Sequence, residues 1–253
     1  MPDDGWVLAG RRYTGRVMHC FGAHPGHRLD PETAVAMLEA SQTEFIPVYT
    51  HGALAGLRKR ADLPLGYAGL RLGDLEGRID LGAYTLLVNV DASAGVADAL
   101  RRAELGVALT GSPRVKLEVL DAERRRPRNA AVVEATPALV SEGYRVLPLI
   151  DLEADTADRL LDLGCVALRV AMADLGSCRG LPHPDFYLDL ASRSPVPVVA
   201  EGGLGAPEDA RAAVAAGAAA VLANSALFAA PDPVAFLRAV RLAAEEGART
   251  ARG

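Results

Sequence analysis

The chain has 253 residues, half of them apolar and 23% charged, with a formal net charge of −5. That length suits one large domain and falls in the range of single-domain α/β barrels, and the composition is ordinary for a globular enzyme. The acidic balance argues against a nucleic-acid binder, no apolar stretch is long enough to span a bilayer, and Cys20, Cys165 and Cys178 are too few and too scattered for a disulfide framework or a zinc site.

Met1-Pro-Asp-Asp-Gly-Trp6 lacks the basic and apolar regions of a signal peptide, so the cytoplasm is the expected location. From there, short β-branched runs alternate with Ala/Leu-rich amphipathic stretches. Strands are predicted over Gly15–Phe21, Glu44–Thr50, Tyr84–Val90, Arg114–Leu120, Tyr144–Ile150, Cys165–Val170, Val196–Glu201 and Ala219–Ala223. Helices are predicted over Pro31–Ser41, Gly95–Leu105, Ala130–Glu142, Ala154–Asp162, Pro184–Ser192, Pro207–Ala216 and Pro233–Glu246. Asp30-Pro31 and Pro207-Glu-Asp209 are helix starts, because proline suits the first turn and carboxylates suit the positive end of the dipole. Gly143, Gly164 and Gly217 stand where helices stop. His51–Gly82 is longer than one crossover needs and reads as an elaborated helix with an insertion. Eight such alternations predict a single (β/α)8 TIM barrel over residues 1–253, with an open doubly wound sheet as the alternative.

The chemistry-bearing residues fall at strand ends. His19, His24 and His27 cluster after the first strand, without the carboxylate or cysteine spacing of a metal site. His51 ends the second strand, and Asn89 and Asp91 end the third; each could reach a substrate or simply shape a turn. In Arg114-Val-Lys-Leu-Glu-Val-Leu120, Lys116 and Glu118 share one face of a strand that is otherwise aliphatic. Burial alone lowers a lysine pKa and makes its amine a nucleophile, as a Schiff base requires, with the carboxylate at hand to move protons. A structural ion pair is the competing reading. Glu123-Arg-Arg-Arg-Pro-Arg128 reads as a solvated face or as a receiver of an acidic partner. Arg169 interrupts an apolar strand and faces either the barrel mouth, as an anion partner, or the outer helices. Glu201 closes its strand as a second acid/base or as a polar rim residue. Gly202, Gly203 and Gly205, with Asn224 and Ser225 one strand later, occupy the two loops where barrels hold phosphate. Tight turns that merely need glycine are the alternative there.

Assembled, these residues resemble the thiazole synthase family. The likeness is carried by Val115-Lys-Leu-Glu118, Gly143-Tyr-Arg-Val-Leu-Pro148, Leu163-Gly-Cys-Val166, Val196-Pro-Val-Val-Ala-Glu-Gly-Gly-Leu-Gly205, Gly217-Ala-Ala-Ala-Val-Leu-Ala-Asn-Ser-Ala226 and Pro231-Asp-Pro-Val234. The resemblance implies a lysine imine with a keto-sugar phosphate at Lys116, acid/base roles for Glu118 and Glu201, and phosphate held by Gly203, Gly205, Asn224 and Ser225. It also implies sulfur from the C-terminal Gly-Gly thiocarboxylate of a ubiquitin-like carrier protein, no metal or organic cofactor, and a homo-oligomer. Three places depart from the family pattern: Glu201 stands for an aspartate, Asn89-Val-Asp-Ala92 for Asn-Thr-x-Gly, and Val170-Ala-Met-Ala-Asp-Leu-Gly-Ser177 for a loop richer in glycine and proline. These departures surround the substrate while the lysine and phosphate loops persist, which is similar to the 2-thiosugar synthase branch acting on glucose 6-phosphate. Thiazole synthesis from 1-deoxy-D-xylulose 5-phosphate, and a paralogue that binds phosphosugar or carrier without turnover, remain the alternatives.

Overall fold

The computed structural model describes residues 5–22, 26–50, 56–91, 93 and 95–251; His24 and His51 lie outside them. A hairpin of β1 (Trp6–Leu8) and β2 (Arg11–Tyr13) opens the chain. Eight parallel strands follow: β3 (Val17–His19), β4 (Phe45–Tyr49), β5 (Thr85–Val90), β6 (Arg114–Leu117), β7 (Arg145–Ile150), β8 (Leu168–Ala171), β9 (Val198–Glu201) and β10 (Ala220–Ala223). They are ordered β3-β10-β9-β8-β7-β6-β5-β4, and the two edges, β3 and β4, lie against each other and close the sheet into a barrel.

Helices cover the outside: α1 (Pro31–Ser41), α2 (Val96–Thr110), α3 (Asn129–Ser141), α4 (Ala154–Asp162), α5 (Pro184–Arg193), α6 (Pro207–Ala215), α7 (Ser225–Ala229) and α8 (Pro233–Thr250). Asp30 caps α1 by accepting from Thr33 N–H at 2.8 Å, and Asp232 caps α8 from Val234 and Ala235. The outward strand residues, Val17, Ile46, Val88, Val115, Val146, Val170 and Ala200 among them, form one apolar shell with these helices. At Gly106 the packing leaves no room for a side chain: a Cβ there would meet Val88 Cγ1 at 2.3 Å, so α2 lies directly on β5.

The inward residues alternate with those. Phe45, Leu87, Leu147, Val199 and Ala220 fill the lower barrel together with Trp6, Leu8 and Tyr13 of the hairpin. Tyr13 stacks on Phe45 at 4.4 Å between ring centroids and bonds Thr85 Oγ1 at 2.8 Å. The hairpin therefore plugs the N-terminal end with aromatics, and only the opposite end is open to chemistry. Its three-residue strands carry no long periodic signal, which is why they and the five-residue α7 are absent from the sequence prediction.

One predicted element is corrected. Among the described residues of 56–83 there is no α-helix; short 3-10 turns at Arg60–Asp62, Leu72–Leu75 and Leu81–Ala83 cover that side of the barrel. Pro64, Gly66, Gly69 and Gly77 break the helical pattern, the three glycines at φ of 137°, 86° and 76°. No helix of the described residues is long and apolar enough to cross a membrane.

Candidate active site

Lys116 faces inward from β6, between Asn89 of β5 and Leu147 of β7 in register. The ladder continues one residue further, as Glu118 N–H donates to Val90 O at 3.0 Å, so Glu118 stands one layer above Lys116 on the same face. Arg169 points inward from β8 and Glu201 from the end of β9. These four side chains form one closed network. Lys116 Nζ donates to Glu118 Oε1 at 2.5 Å and Glu201 Oε1 at 3.3 Å, while Arg169 donates to Glu201 Oε2 at 2.7 Å and Glu118 Oε1 at 2.8 Å. Arg169 Nη1 also reaches the carbonyls of Leu147 (3.1 Å) and Leu117 (3.4 Å). Two cations and two anions make the quartet neutral, the condition under which charges tolerate burial.

The electrostatics reverse the expectation for the lysine. Desolvation, the largest single influence, and Arg169 both push the Lys116 pKa down, but Glu118 and Glu201 push it up and prevail, so it is raised over that of an ordinary lysine. Burial raises Glu118, yet Lys116 and Arg169 outweigh it and hold the carboxyl at about 2. At rest the amine is an ammonium clamped by carboxylates. Nearby, burial raises the Cys20 thiol, so it stays protonated.

Arg169 is likewise corrected as an anion partner for substrate: it is fully buried, outside the cavity lining, and spent on the two glutamates. Asn89 is buried too. With its amide turned so that donors meet acceptors, it donates to Lys116 O at 3.2 Å and Glu118 Oε1 at 3.1 Å and accepts from Tyr49 OH. It supports the quartet from below.

A cavity of about 430 Å³ opens above Lys116 at the C-terminal ends of the strands, and Lys116, Glu118 and Glu201 form its floor. One wall is Gly176, Gly202, Gly203, Asn224 and Ser225. Gly202 and Gly203 have φ of 72° and 75°, and a Cβ on Gly203 would meet Ala173 Cβ at 2.8 Å, so glycine lets the backbone turn tightly at the cavity edge. Asn224 Oδ1 has no hydrogen-bond partner there among the described residues. Gly205, expected beside them, does not line the cavity: its N–H donates to Asp209 Oδ2 at 2.8 Å, as does that of Ala206, so α6 caps itself and offers no amide at that point. The opposite wall carries Tyr67, Asp91 and Arg124. Asp91 was visible as a strand-end residue, whereas Tyr67 and Arg124 sit in irregular loops, where no periodicity marks an inward residue. The neighbouring arginines are turned to carboxylates, Arg125 to Asp174, and Arg126 to Asp151 and Asp174. Of the histidines, His19 is buried on the outer face of the barrel and its burial lowers the ring to about 4, while His27 stacks on Phe228. No group of three His, Cys, Asp or Glu able to hold a metal occurs among the described residues.

Comparison with known proteins agrees with this geometry. The family model for thiazole biosynthesis protein ThiG matches residues 10–253. A thiazole synthase of Frankia casuarinae is 35% identical over 247 residues, spanning 96% of this chain and 68% of its own length, and one of Azorhizobium caulinodans is 34% identical over 98% and 87%. Among solved structures, that of the Amycolatopsis orientalis BexX/CysO complex superposes with a TM-score of 0.84 at 27% identity, covering 99% of this chain and 96% of that one. A 3-hexulose-6-phosphate synthase, at 17% identity and a TM-score of 0.52, shares the fold. A barrel with a lysine between two carboxylates, matched by that family model along nearly its whole length, belongs to the thiazole synthase (ThiG) family.

Proposed function

We propose that this chain is a sulfur-inserting synthase in which Lys116 forms an imine with the keto form of a phosphosugar, glucose 6-phosphate being the substrate and a 2-thioglucose 6-phosphate-type compound the product. The observation that carries the reading is Lys116 Nζ on the cavity floor within hydrogen-bond reach of both Glu118 and Glu201. An amine flanked by two carboxylates has a proton acceptor on either side for the transfers that imine formation and sugar tautomerisation demand. Glu118 and Glu201, both steadied by Arg169, divide these transfers between them. The phosphate lies against Gly202, Gly203, Asn224 and Ser225; the carrier-protein thiocarboxylate sulfur adds to the imine carbon, water cleaves the acyl–sulfur bond to leave the carrier as a carboxylate, and the Lys116 amine departs as the thiosugar is released. A protein donor fits a cavity open at the barrel mouth, and the similar BexX chain was solved with a second protein, CysO. The departures at Asp91 and in the loop after β8 favour a polyol over the family's deoxypentulose.

Thiazole synthesis from 1-deoxy-D-xylulose 5-phosphate is the second reading, favoured by the names of the Frankia and Azorhizobium relatives. Borohydride trapping followed by intact-mass and peptide mapping separates the two. A hexose-phosphate adduct on Lys116, absent from Lys116→Ala, is the expected result. A pentulose adduct alone returns the chain to thiazole synthesis, and trapping in Lys116→Ala refutes the nucleophile.

A further inference from the structure

Asp91 is 1% exposed, yet it lines the cavity. Its Oδ2 is fully engaged, accepting from Tyr67 OH and from Arg124 Nη2 at 3.0 Å. Its Oδ1, buried as well, has no hydrogen-bond partner among the described residues. A buried carboxylate oxygen left unpaired is costly, and such a group calls for a donor from elsewhere. The surroundings hold Asp91 rigidly. Arg124 Nη2 also donates to Tyr67 OH at 2.9 Å, and its guanidinium lies 5.5 Å from the Tyr67 ring centroid. Arg124 adopts φ of 56°, a left-handed backbone that a long side chain rarely takes, in a turn secured by Asp121 accepting from Arg125 and Arg126 N–H. Strain is retained where the surrounding contacts require it, and here it aims Arg124 at Asp91.

Strand order places this cluster. Asp91 follows β5 and Arg124 follows β6, whereas the glycine loop and Asn224-Ser225 follow β9 and β10; around the eight-stranded ring those pairs are diametrically opposed. Lys116 rises from β6 on the Asp91 side, and its Nζ reaches across the barrel to within 3.3 Å of Glu201 Oε1 on β9, so the amine itself lies between them. A sugar with its phosphate on the glycine wall and its keto carbon at Lys116 therefore directs its remaining end to Asp91.

We propose that Asp91, positioned by Tyr67 and Arg124, is the specificity residue of this site, its Oδ1 accepting a hydrogen bond from the substrate hydroxyl at the end remote from the phosphate. The inference rests on the phosphosugar reading above and names what that reading leaves open: a polyol with a terminal hydroxyl is accepted, and an analogue ending in methyl is rejected because the carboxylate stays unpaired. Sites built to bond a hydroxyl reject the deoxy analogue strongly.

The test is calorimetry with glucitol 6-phosphate and 1-deoxyglucitol 6-phosphate, which lack a carbonyl and cannot form the imine, with inorganic phosphate as a third probe. Wild-type protein is expected to bind glucitol 6-phosphate at least about tenfold tighter than the deoxy compound. Asp91→Leu brings that ratio near one and leaves inorganic phosphate affinity unchanged, and Tyr67→Phe gives an intermediate ratio. Equal affinities in the wild type, which require no variant, overturn the proposal, as does a ratio unchanged in Asp91→Leu. Failure of every sugar to give a borohydride adduct sinks the imine reading and leaves this one standing if the ratio holds.

Discussion

Replacing Arg169 by methionine keeps most of its aliphatic volume and removes the cation between Glu118 and Glu201. The guanidinium is fully buried and makes four hydrogen bonds of 2.7–3.4 Å, two of them to the glutamates. Without it, Lys116 alone faces two carboxylates, and one excess negative charge is buried. Removing one partner of a buried ion pair costs about 3–5 kcal/mol. The Glu118 carboxyl agrees in direction: Lys116 first and Arg169 second hold it at about 2 against its ordinary 4.5, so part of that stabilisation at neutral pH goes with the guanidinium. The pH dependence has a definite sign. In the native protein that contribution is complete above pH 4.5 and is lost as pH falls toward 2. In Arg169→Met the surplus charge raises a carboxyl above its unfolded value, so the penalty is complete at alkaline pH and fades as pH falls through the raised value. Urea denaturation followed by circular dichroism should therefore show the widest gap between wild type and variant at about pH 8, narrowing by about pH 5. Arg169→Met/Glu201→Gln restores neutrality and should recover more than half of the loss. A gap independent of pH, or a double variant no more stable than the single one, would refute the charge argument.

Two further outcomes follow from the same geometry. Because its carboxylate neighbours raise the Lys116 pKa over that of an ordinary lysine, the neutral amine is the minor form at neutral pH and its share grows with pH; the trapping rate should still be rising between about pH 7 and pH 9, and a plateau near pH 7 would contradict the raised pKa. Gly203→Ala forces a side chain into the left-handed region against Ala173, so about 1–2 kcal/mol of stability should be lost, or about 2–8 °C in Tm. Phosphate affinity should weaken with it, and wild-type calorimetry on this variant would remove the glycine wall from the phosphate site.

Period-two alternation with intervening 3.6-residue patterns was enough to read the eight parallel strands and seven of the helices from the chain itself. Val115, Leu117 and Val119 face the helices because Lys116 and Glu118 occupy the intervening positions, and that is local information. The position of Glu201 at a strand tip, and of glycines after it, was legible for the same reason. Sequence alone could not tell that residues 56–83 carry no described helix, or that Gly205 spends its N–H on Asp209, since both depend on competing local hydrogen bonds. Nor could it bring Tyr67 and Arg124 onto Asp91, because irregular loops have no period to betray an inward side chain. The charge state of Lys116 was decided only by tertiary structure. Residues 116, 118, 169 and 201 lie on three strands or just past their ends, and closure of the barrel brings them together, placing two carboxylates on an amine whose pKa burial alone would have lowered.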